Sequence, residues 1–354
     1  MSLASLIATG TKIWLDGVEP ADINTNRARG ITGATSNPAI VSKIIEQGHF
    51  DQRIAELLEQ NLDDQATAWT LDDELVQSAQ KVFLPVWKQT SGDDGYVSFE
   101  LDPLIEDPAR ALPHAERIRQ YLELGKKWFA GHQNRMIKVP ATAAGLDTLE
   151  DLAAAGVTLN VTLMFTERQY LAASQAIWRG AQRRPAGLKD FKSVYSIFIS
   201  RIDVYTEKHV PALLPETQGQ AGIITAKRVW QLNQQFWKDK NLRLHQAIVF
   251  ASTGVKNPAD PPDKYVEALA GSDIQTNPAA TNDAADRRRE PYARKVDQMP
   301  PQAVLKDIDQ KVDMAQMERV LMEEGAKKFT EPQEALLKLI ATKRASIGAA
   351  SPSR

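Results

Sequence analysis

A lysine stands in the middle of a run that otherwise predicts a buried strand. The run is RMIKVP at 135–140, and Lys138 has Ile137 and Val139 on either side. Because side chains alternate along a strand, these two neighbours face the helices and Lys138 faces the opposite way. Burial disfavours the charged form of an amine, so a lysine in such a place can offer a neutral nitrogen that attacks a ketone. The resulting iminium draws electrons from a neighbouring carbon–carbon bond, which makes Lys138 the candidate nucleophile.

Two carboxylates occupy comparable places and complete this chemistry. Asp16 ends the run KIWLD at 12–16, and Glu100 lies in YVSFEL at 96–101. Bond cleavage next to an iminium needs a base for a substrate hydroxyl, and dehydration of the carbinolamine needs a proton shuttle. Carboxylates can serve both steps. The five histidines are scattered and the chain has no cysteine, so we expect neither a metal site nor an organic cofactor.

Further polar residues share strand faces with these candidates. By the alternation of side chains, the following pairs point the same way: Trp14 with Asp16, Thr35 with Asn37, Ser98 with Glu100, and Asn160 with Thr162. One polar residue of this kind is more often part of a satisfied core ion pair than of an active site, because burying it unpaired costs several kcal/mol. A convergence of Lys, Glu, Asp, Asn and Thr from different strands favours function.

The elements that would bring these residues together alternate between strands and helices. Strand-like runs are predicted at 12–16, 30–37, 96–101, 135–140, 157–164, 193–199, 245–250 and 272–277, and helices at 38–59, 72–90, 113–131, 166–182, 202–214 and 221–238. About eight such units predict an α/β fold of the closed (β/α)8, or TIM, barrel type, with its active site at the C-terminal ends of the strands. An open doubly wound sheet is the alternative, but no strand precedes a GxGxxG or P-loop motif. The stretch 301–348 predicts the last barrel helix and an extra C-terminal helix.

Composition bounds the remaining possibilities. The chain has 354 residues, a formal net charge of −2 and 43 % hydrophobic residues, with a mean hydropathy of −0.36. A barrel of this size is one domain, so we expect residues 1–354 to form one, with a disordered tail from about 346. The charge balance gives no basic surface for nucleic acid, and no apolar stretch is long enough for a membrane helix. We expect a cytoplasmic monomer or homodimer.

Four segments resemble a known family in their order and spacing. They are WLD at 14–16, TSNP at 35–38, IKVPAT at 137–142 and NVTL at 160–163, and together they resemble transaldolase. The combination of IKVPAT with the upstream TSNP is the specific part, and the resemblance extends over roughly 10–345. It implies a transferase that moves a dihydroxyacetone unit from a ketose phosphate, such as sedoheptulose 7-phosphate or fructose 6-phosphate, to an aldose phosphate in the pentose phosphate pathway.

The resemblance also implies roles for individual residues. The catalytic set would be Lys138 as the Schiff-base lysine, Asp16 as the acid/base at the substrate hydroxyl, Glu100 acting through a water, and Thr162 placing that water. Substrate hydroxyls would be held by Thr35, Asn37, Asn160 and Ser196. Phosphate would be bound by Arg201, whose guanidinium suits a dianion, with Ser252 and Lys256 beside it. For Lys256, a solvated loop lysine is an equally good interpretation.

The sequence departs from the family pattern at two places. SIFISR at 196–201 replaces the commoner SPFVGR, and ASTGVKNP at 251–258 replaces ASFR. These features resemble the longer branch of the family, which includes fusions to glucose-6-phosphate isomerase, although no isomerase domain is present. Two alternatives stay open. A Schiff-base aldolase of the same fold would more often carry Gln or Tyr in the role of Glu100, and a catalytically dead scaffold would not need the lysine and carboxylates. The run Arg287 to Arg289 is expected to be a solvated face.

Overall fold

Eight parallel strands close into a barrel. The computed structural model describes residues 2–350, and side chains as far as residue 346. Each strand pairs with the next along the chain, and the eighth pairs with the first. The strands are β1 (Lys12–Asp16), β2 (Gly33–Thr35), β3 (Val97–Glu100), β4 (Arg135–Pro140), β5 (Leu159–Met164), β6 (Ser193–Phe198), β7 (Ala247–Ala251) and β8 (Ile274–Asn277). All eight predicted strands are present, and the predicted (β/α)8 barrel is confirmed.

Helices surround this barrel. They are α1 (Ser2–Ala8), α2 (Pro20–Ala28), α3 (Pro38–Glu46), α4 (Asp51–Glu59), α5 (Asp64–Gln89), α6 (His114–Phe129), α7 (Ala143–Ala154), α8 (Glu167–Gln182), α9 (Ile199–His209), α10 (Ala221–Trp237), α11 (Lys264–Ala268), α12 (Ala279–Arg287), α13 (Gln302–Lys311) and α14 (Met314–Ala350). Two short 3₁₀ turns, Pro103–Glu106 and Pro108–Arg110, follow β3.

Some details of the predicted helices differ from the structure. The helix predicted over 38–59 is two helices, because Gly48 adopts a φ of +81° that breaks the first one. The helix directly after β8 is the short α12. Both helices after residue 301, α13 and α14, are therefore additional to the barrel, whereas the sequence predicted one additional helix. Of the disordered tail predicted from about residue 346, residues 346–350 belong to α14, and the residues after Ala350 lie outside the described ones.

The barrel interior is apolar at one end and polar at the other. Seven side chains form an apolar cluster at the N-terminal end: Trp14, Tyr96, Met136, Val194, Ala247, Val249 and Ile274. Two residues further along the same strands, and therefore on the same face, lie Asp16, Ser98, Lys138, Ser196 and Thr276. The pleat of the strands thus stacks a polar layer directly above an apolar one, at the end of the barrel where the strands terminate.

Capped helices fix how the chain leaves three of the polar strands. The side chain of Asn37 accepts a hydrogen bond from the Ile40 amide at 3.1 Å at the start of α3. Thr142 caps α7 and Thr166 caps α8 in the same way. Each cap satisfies an amide that would otherwise lack a partner. The ends of β2, β4 and β5 are thereby held in defined positions.

The last helix, α14, crosses the open end of the barrel and continues down its side. Leu321 and Phe329 belong to an apolar cluster with Leu163 and Phe198 from the strand ends. Pro332 lies inside the helix and cannot donate to the Lys328 carbonyl. Beyond Pro332 the helix joins the main core and contacts α3, α4 and α5. The first part of α14 is therefore the roof of the polar layer.

Candidate active site

A cavity of about 560 Å³ opens at the C-terminal ends of the strands, beneath α14. Its floor is the polar layer of the barrel, and its walls come from the start of α9 and from the loop after β7. Eight of the predicted site residues line it: Asp16, Thr35, Asn37, Lys138, Ser196, Arg201, Ser252 and Lys256. The position matches the expectation for a barrel of this kind.

Lys138 is buried and paired with Glu100. The two residues are directly opposite each other on β4 and β3, and the Lys138 Nζ donates to Glu100 Oε2 at 3.0 Å. The same nitrogen donates to the Ser36 carbonyl at 3.2 Å, and it lies 5.6 Å from the ring centre of Phe329. Lys138 and Glu100 are only 4 % and 5 % exposed. The amine therefore has a proton acceptor in contact and one side turned to the cavity.

Asp16 lies across the cavity floor from this pair. It is opposite Thr35 on the neighbouring strand, and the Thr35 hydroxyl donates to Asp16 Oδ1 at 3.0 Å. Burial raises the pKa of Asp16, although the charge of Lys138 and the hydrogen bond from Thr35 oppose the effect. Burial also raises the pKa of Glu100, against the charge and hydrogen bond of Lys138. Both carboxyls can therefore take up and release protons closer to neutrality than ordinary ones.

Three predicted residues lie in the layer beneath the cavity surface. Asn160 donates to Ser98 Oγ at 2.9 Å and accepts from Ser196 Oγ at 2.7 Å. The buried Thr162 hydroxyl has no hydrogen-bond partner among the described residues. Glu100 and Asn160 are directly opposite Lys138 on the neighbouring strands, and Thr162 is opposite Pro140. None of the three lines the cavity itself. Asn160 orients Ser196, whereas Thr162 keeps an open hydrogen-bonding position.

The strand that carries Thr162 is irregular at that point. The pairing of β5 with β6 shifts between Val161 and Met164, and Leu163 has a φ of +55°, which is uncommon for a residue other than glycine. Such bulges re-aim the side chains beside them. The irregularity therefore lies directly beside Thr162.

Arg201, Ser252 and Lys256 form a cationic end of the cavity. One guanidinium nitrogen of Arg201 has no hydrogen-bond partner, and no carboxylate in the described chain lies within ion-pair distance of it. The guanidinium lies over Phe198 at 5.0 Å. Ser252 Oγ contacts Ser200 Oγ at 2.8 Å. Burial and the nearby charge of Arg201 lower the pKa of Lys256, so the two cations are close enough to repel each other.

The sequence analysis did not single out ten of the residues that line the cavity. Five of them are Thr276 from β8 and Leu321, Glu324, Lys328 and Phe329 from α14, and the others are Phe198, Val204, Ala251, Gly254 and Pro278. Thr276 carries a usable signal, because it stands two residues after the apolar Ile274 on a barrel strand. The α14 residues carry no comparable signal. The arginine run after β8 lies outside the cavity, and Arg288 instead pairs with Asp263 at 2.9 Å.

The fold and the site define a (β/α)8 barrel with a buried amine, two carboxyls and a cationic end at the mouth of the barrel. Residues 13–340 match the family described as Transaldolase/Fructose-6-phosphate aldolase. The chain belongs to this family, and the family resemblance inferred from the sequence is confirmed.

Proteins named Transaldolase from mycobacteria are similar over almost the whole chain. Those of Mycobacterium bovis and Mycobacterium tuberculosis are each 32 % identical over 362 residues, covering 95 % of this chain and 95 % of the relative. The protein of the same name from Mycobacterium marinum is 30 % identical over 307 residues, covering 80 % of each.

Two features of other classes of protein are absent from the described residues. None of the described helices combines the length and the apolar character that crossing a bilayer demands. Nowhere in the same part of the chain do three or more His, Asp or Glu side chains gather in the arrangement of a metal site.

Proposed function

We propose that this protein is a transaldolase in which Lys138 carries the transferred unit. It would take a dihydroxyacetone unit from a ketose phosphate, such as sedoheptulose 7-phosphate or fructose 6-phosphate, and pass it to an aldose phosphate. The observation that carries the proposal is the buried contact of 3.0 Å between Lys138 and Glu100 at the floor of the cavity. Membership of the family and relatives named Transaldolase support it.

The first step is attack of the Lys138 amine on the ketone carbon. Glu100 is in contact with Nζ and its pKa is raised by burial, so it can accept a proton from the nitrogen and return it to the departing hydroxyl. Water leaves and an iminium forms. The unpartnered hydroxyl of Thr162 supports a role in placing a water between Glu100 and the reacting carbon.

Asp16 acts in the second step. It removes the proton from the hydroxyl next to the bond that breaks, the electrons of that bond move to the iminium, and an aldose phosphate departs. A carboxyl whose pKa is raised by burial is a better base than an ordinary one and can return the proton to the acceptor aldehyde in the reverse direction. The dihydroxyacetone unit stays on Lys138 as an enamine, so the chain's own amine is the electron sink.

The cationic end of the cavity is proposed to hold the substrate phosphate. Arg201 offers a free guanidinium nitrogen, and Lys256 adds a second charge whose repulsion from Arg201 a dianion would relieve. Thr35, Asn37 and Ser196 line the same cavity and are proposed to hold substrate hydroxyls. Asn160 would act through its hydrogen bond with Ser196.

An aldolase that releases the three-carbon unit to water is the second candidate, since the family name covers both activities. Glu100 favours transfer, because an aldolase-type site would more often place Gln or Tyr there. The roof of the cavity favours transfer as well. Phe329 lies over Lys138 and limits the access of water that could protonate the enamine.

The proposal extends to the setting of the protein. We infer that residues 1–354 work as one barrel domain, as a monomer or homodimer, in the cytoplasm and in the pentose phosphate pathway. No nucleic acid or membrane is proposed as a partner.

A coupled assay tests the proposed activity. With fructose 6-phosphate as the donor, turnover should depend on an added aldose phosphate acceptor, and little free dihydroxyacetone should form without it. Acceptor-independent release at a comparable rate would support the aldolase instead. No consumption of donor under either condition would contradict both.

A further inference from the structure

Three hydroxyl and carboxyl groups form a continuous chain across the cavity floor. The Thr276 and Thr35 hydroxyls are 2.9 Å apart, and Thr35 lies 3.0 Å from Asp16 Oδ1. The three residues come from β8, β2 and β1. Thr35 and Thr276 are each only a few per cent exposed, although both border the cavity.

The direction of the hydrogen bonds in this chain follows from the number of protons. An ionised Asp16 has no proton, so Thr35 must donate to it. A threonine hydroxyl has one hydrogen, so Thr35 cannot also donate to Thr276. The contact of 2.9 Å is therefore donated by Thr276. When Asp16 is protonated, all the bonds can reverse. The two hydrogen bonds among Thr276, Thr35 and Asp16 can thus run in either of two directions, and each direction matches one protonation state of Asp16.

We propose that Thr276 is a positioning residue for the reaction, which acts by donating to Thr35 and thereby aiming the single Thr35 proton at Asp16. This inference rests on the proposed function, in which Asp16 is the base. It also assigns a role to Thr35 that differs from general binding. Since its only proton goes to Asp16, Thr35 presents only a lone pair to the substrate, and a substrate hydroxyl must donate to it.

Donation along the chain favours the ionised form of Asp16. A hydrogen bond to a hydroxyl strengthens the one that the hydroxyl donates, by roughly 10–30 %. The charged groups that face or neighbour Asp16 are Lys138, Glu100, Arg201, Lys256, Glu324 and Lys328. Because removing the Thr276 hydroxyl leaves all six in place, its effect on Asp16 can be separated from theirs.

The test is the pH dependence of kcat/KM in hydroxyl variants, since this quantity reports the titration of the free enzyme. In Thr276→Val the acid limb should move to higher pH by about a few tenths of a unit. Thr276→Ser restores the hydroxyl and should return the limb to its original place. In a Thr35→Val background the hydrogen bonds from Thr276 through Thr35 to Asp16 are already lost. Adding Thr276→Val should therefore cause no further shift of the acid limb.

Thr148→Val is the matched control. Thr148 is a buried threonine of α7, and its hydroxyl donates to the Ala144 carbonyl at 2.6 Å, away from Thr276, Thr35 and Asp16 and outside the cavity lining. Removing this buried hydroxyl should not move the acid limb.

The outcomes separate this inference from the proposed function. If the wild-type protein transfers the unit but Thr276→Val leaves the acid limb unmoved, only the inference is overturned. An equal shift in the Thr35→Val background would also overturn it, because the effect would not pass through Thr35. A wild-type protein that shows no transfer contradicts the proposed function and removes the inference with it.

Discussion

At the scale of single residues, Lys138 and Asp16 are held in different ways. Lys138 is in direct contact with a carboxylate and a backbone carbonyl, whereas Asp16 receives a hydroxyl proton from Thr35. The first arrangement suits a nitrogen that must lose a proton. The second suits a carboxylate that must stay ionised until it takes one. The two groups should therefore fail at different steps when changed.

Replacing Asp16 should separate the steps. Asp16→Asn keeps the shape of the side chain and the Thr35 hydrogen bond but removes the base, so the imine should form while carbon–carbon cleavage stops. Borohydride should still attach fructose 6-phosphate to the variant, as an intact six-carbon adduct. If attachment is lost while the circular dichroism spectrum is unchanged, Asp16 acts before cleavage.

Replacing Arg201 should affect phosphorylated substrates selectively. Arg201→Ala removes a guanidinium that has no carboxylate partner in the described chain, so the protein loses little stability. Charge-assisted hydrogen bonds contribute about 1.5–3 kcal/mol, which corresponds to a loss of roughly 10- to 100-fold in kcat/KM. The ratio of phosphorylated to unphosphorylated donor activity is the measurement.

The control for this variant is Arg179→Ala. Arg179 is an exposed residue of α8 that pairs with Glu150 at 2.7 Å, far from the cavity lining, and its loss should leave the ratio unchanged. An unchanged ratio in Arg201→Ala as well would remove Arg201 from the site.

At the scale of elements, α14 decides how closed the site is. Phe329 is 6 % exposed and lies between Lys138 and Arg201, at 5.6 Å and 5.7 Å from their charged groups. Its ring is therefore placed to limit the access of water to Lys138, where we propose that the enamine forms. The same helix anchors itself beyond Pro332 by Leu336, which packs into the main core.

Opening this roof should change the ratio of released to transferred dihydroxyacetone. Phe329→Ala should raise the release of free dihydroxyacetone relative to transfer, because water can then protonate the enamine. Both this change and the control Leu336→Ala should lower stability by about 2–5 kcal/mol. Only Phe329→Ala should alter the release-to-transfer ratio, measured by quantifying both products. An equal change in both variants would mean that general loosening is responsible.

The strands and the residues they carry were predictable from the sequence, while the roof was not. Alternation along β4 placed Lys138 on the inside because Ile137 and Val139 face the helices, and the same reasoning would have found Thr276. Phe329 and Lys328 reach the site only because α14 crosses the barrel mouth. That path depends on packing between elements far apart in the sequence. The bulge in β5 lies beside Thr162, and the alternation of side chains in the sequence does not reveal it.

At the scale of the whole molecule, the two ends of the barrel carry different charge arrangements. The C-terminal end holds the site. At the N-terminal end, Asp93 pairs with Lys12 at 2.7 Å and with Lys192 at 3.0 Å. It also accepts from the His245 amide at 2.8 Å. These contacts join residues that are far apart along the chain, so they link the start of β1 to the loops before β6 and β7.

This network should make stability fall at acid pH. Burial by itself would raise the pKa of Asp93, but Lys192, Lys12 and the His245 amide outweigh it and hold the pKa well below its usual range. The unfolded state then binds more protons, so the contribution of Asp93 is present above its unfolded pKa of about 3.9 and is lost as the pH falls through the folded value. Urea unfolding from pH 6 down to about pH 2 covers the range in which this loss develops.

Asp93→Asn should flatten this pH dependence. It should also cost about 2–4 kcal/mol at neutral pH, because Lys192 is 1 % exposed and would lose its counter-charge. The control Asp190→Asn breaks an exposed pair with Arg243 and should cost about 0–1 kcal/mol. If Asp93→Asn leaves the slope of the unfolding free energy against pH unchanged, other carboxylates are responsible for the acid unfolding.

Borohydride trapping followed by peptide mapping tests the Schiff base most directly. After incubation with fructose 6-phosphate and reduction, the wild-type protein should carry a three-carbon adduct on the peptide that contains Lys138. Lys138→Arg should carry no adduct, since a guanidinium stays protonated and cannot attack a carbonyl. Its turnover should fall by more than about three orders of magnitude. Its melting curve should show a folded protein. Lys256 and Lys328 are the other lysines that line the cavity. An adduct on either of them would contradict the assignment of the Schiff base to Lys138, and so would an active Lys138→Arg protein.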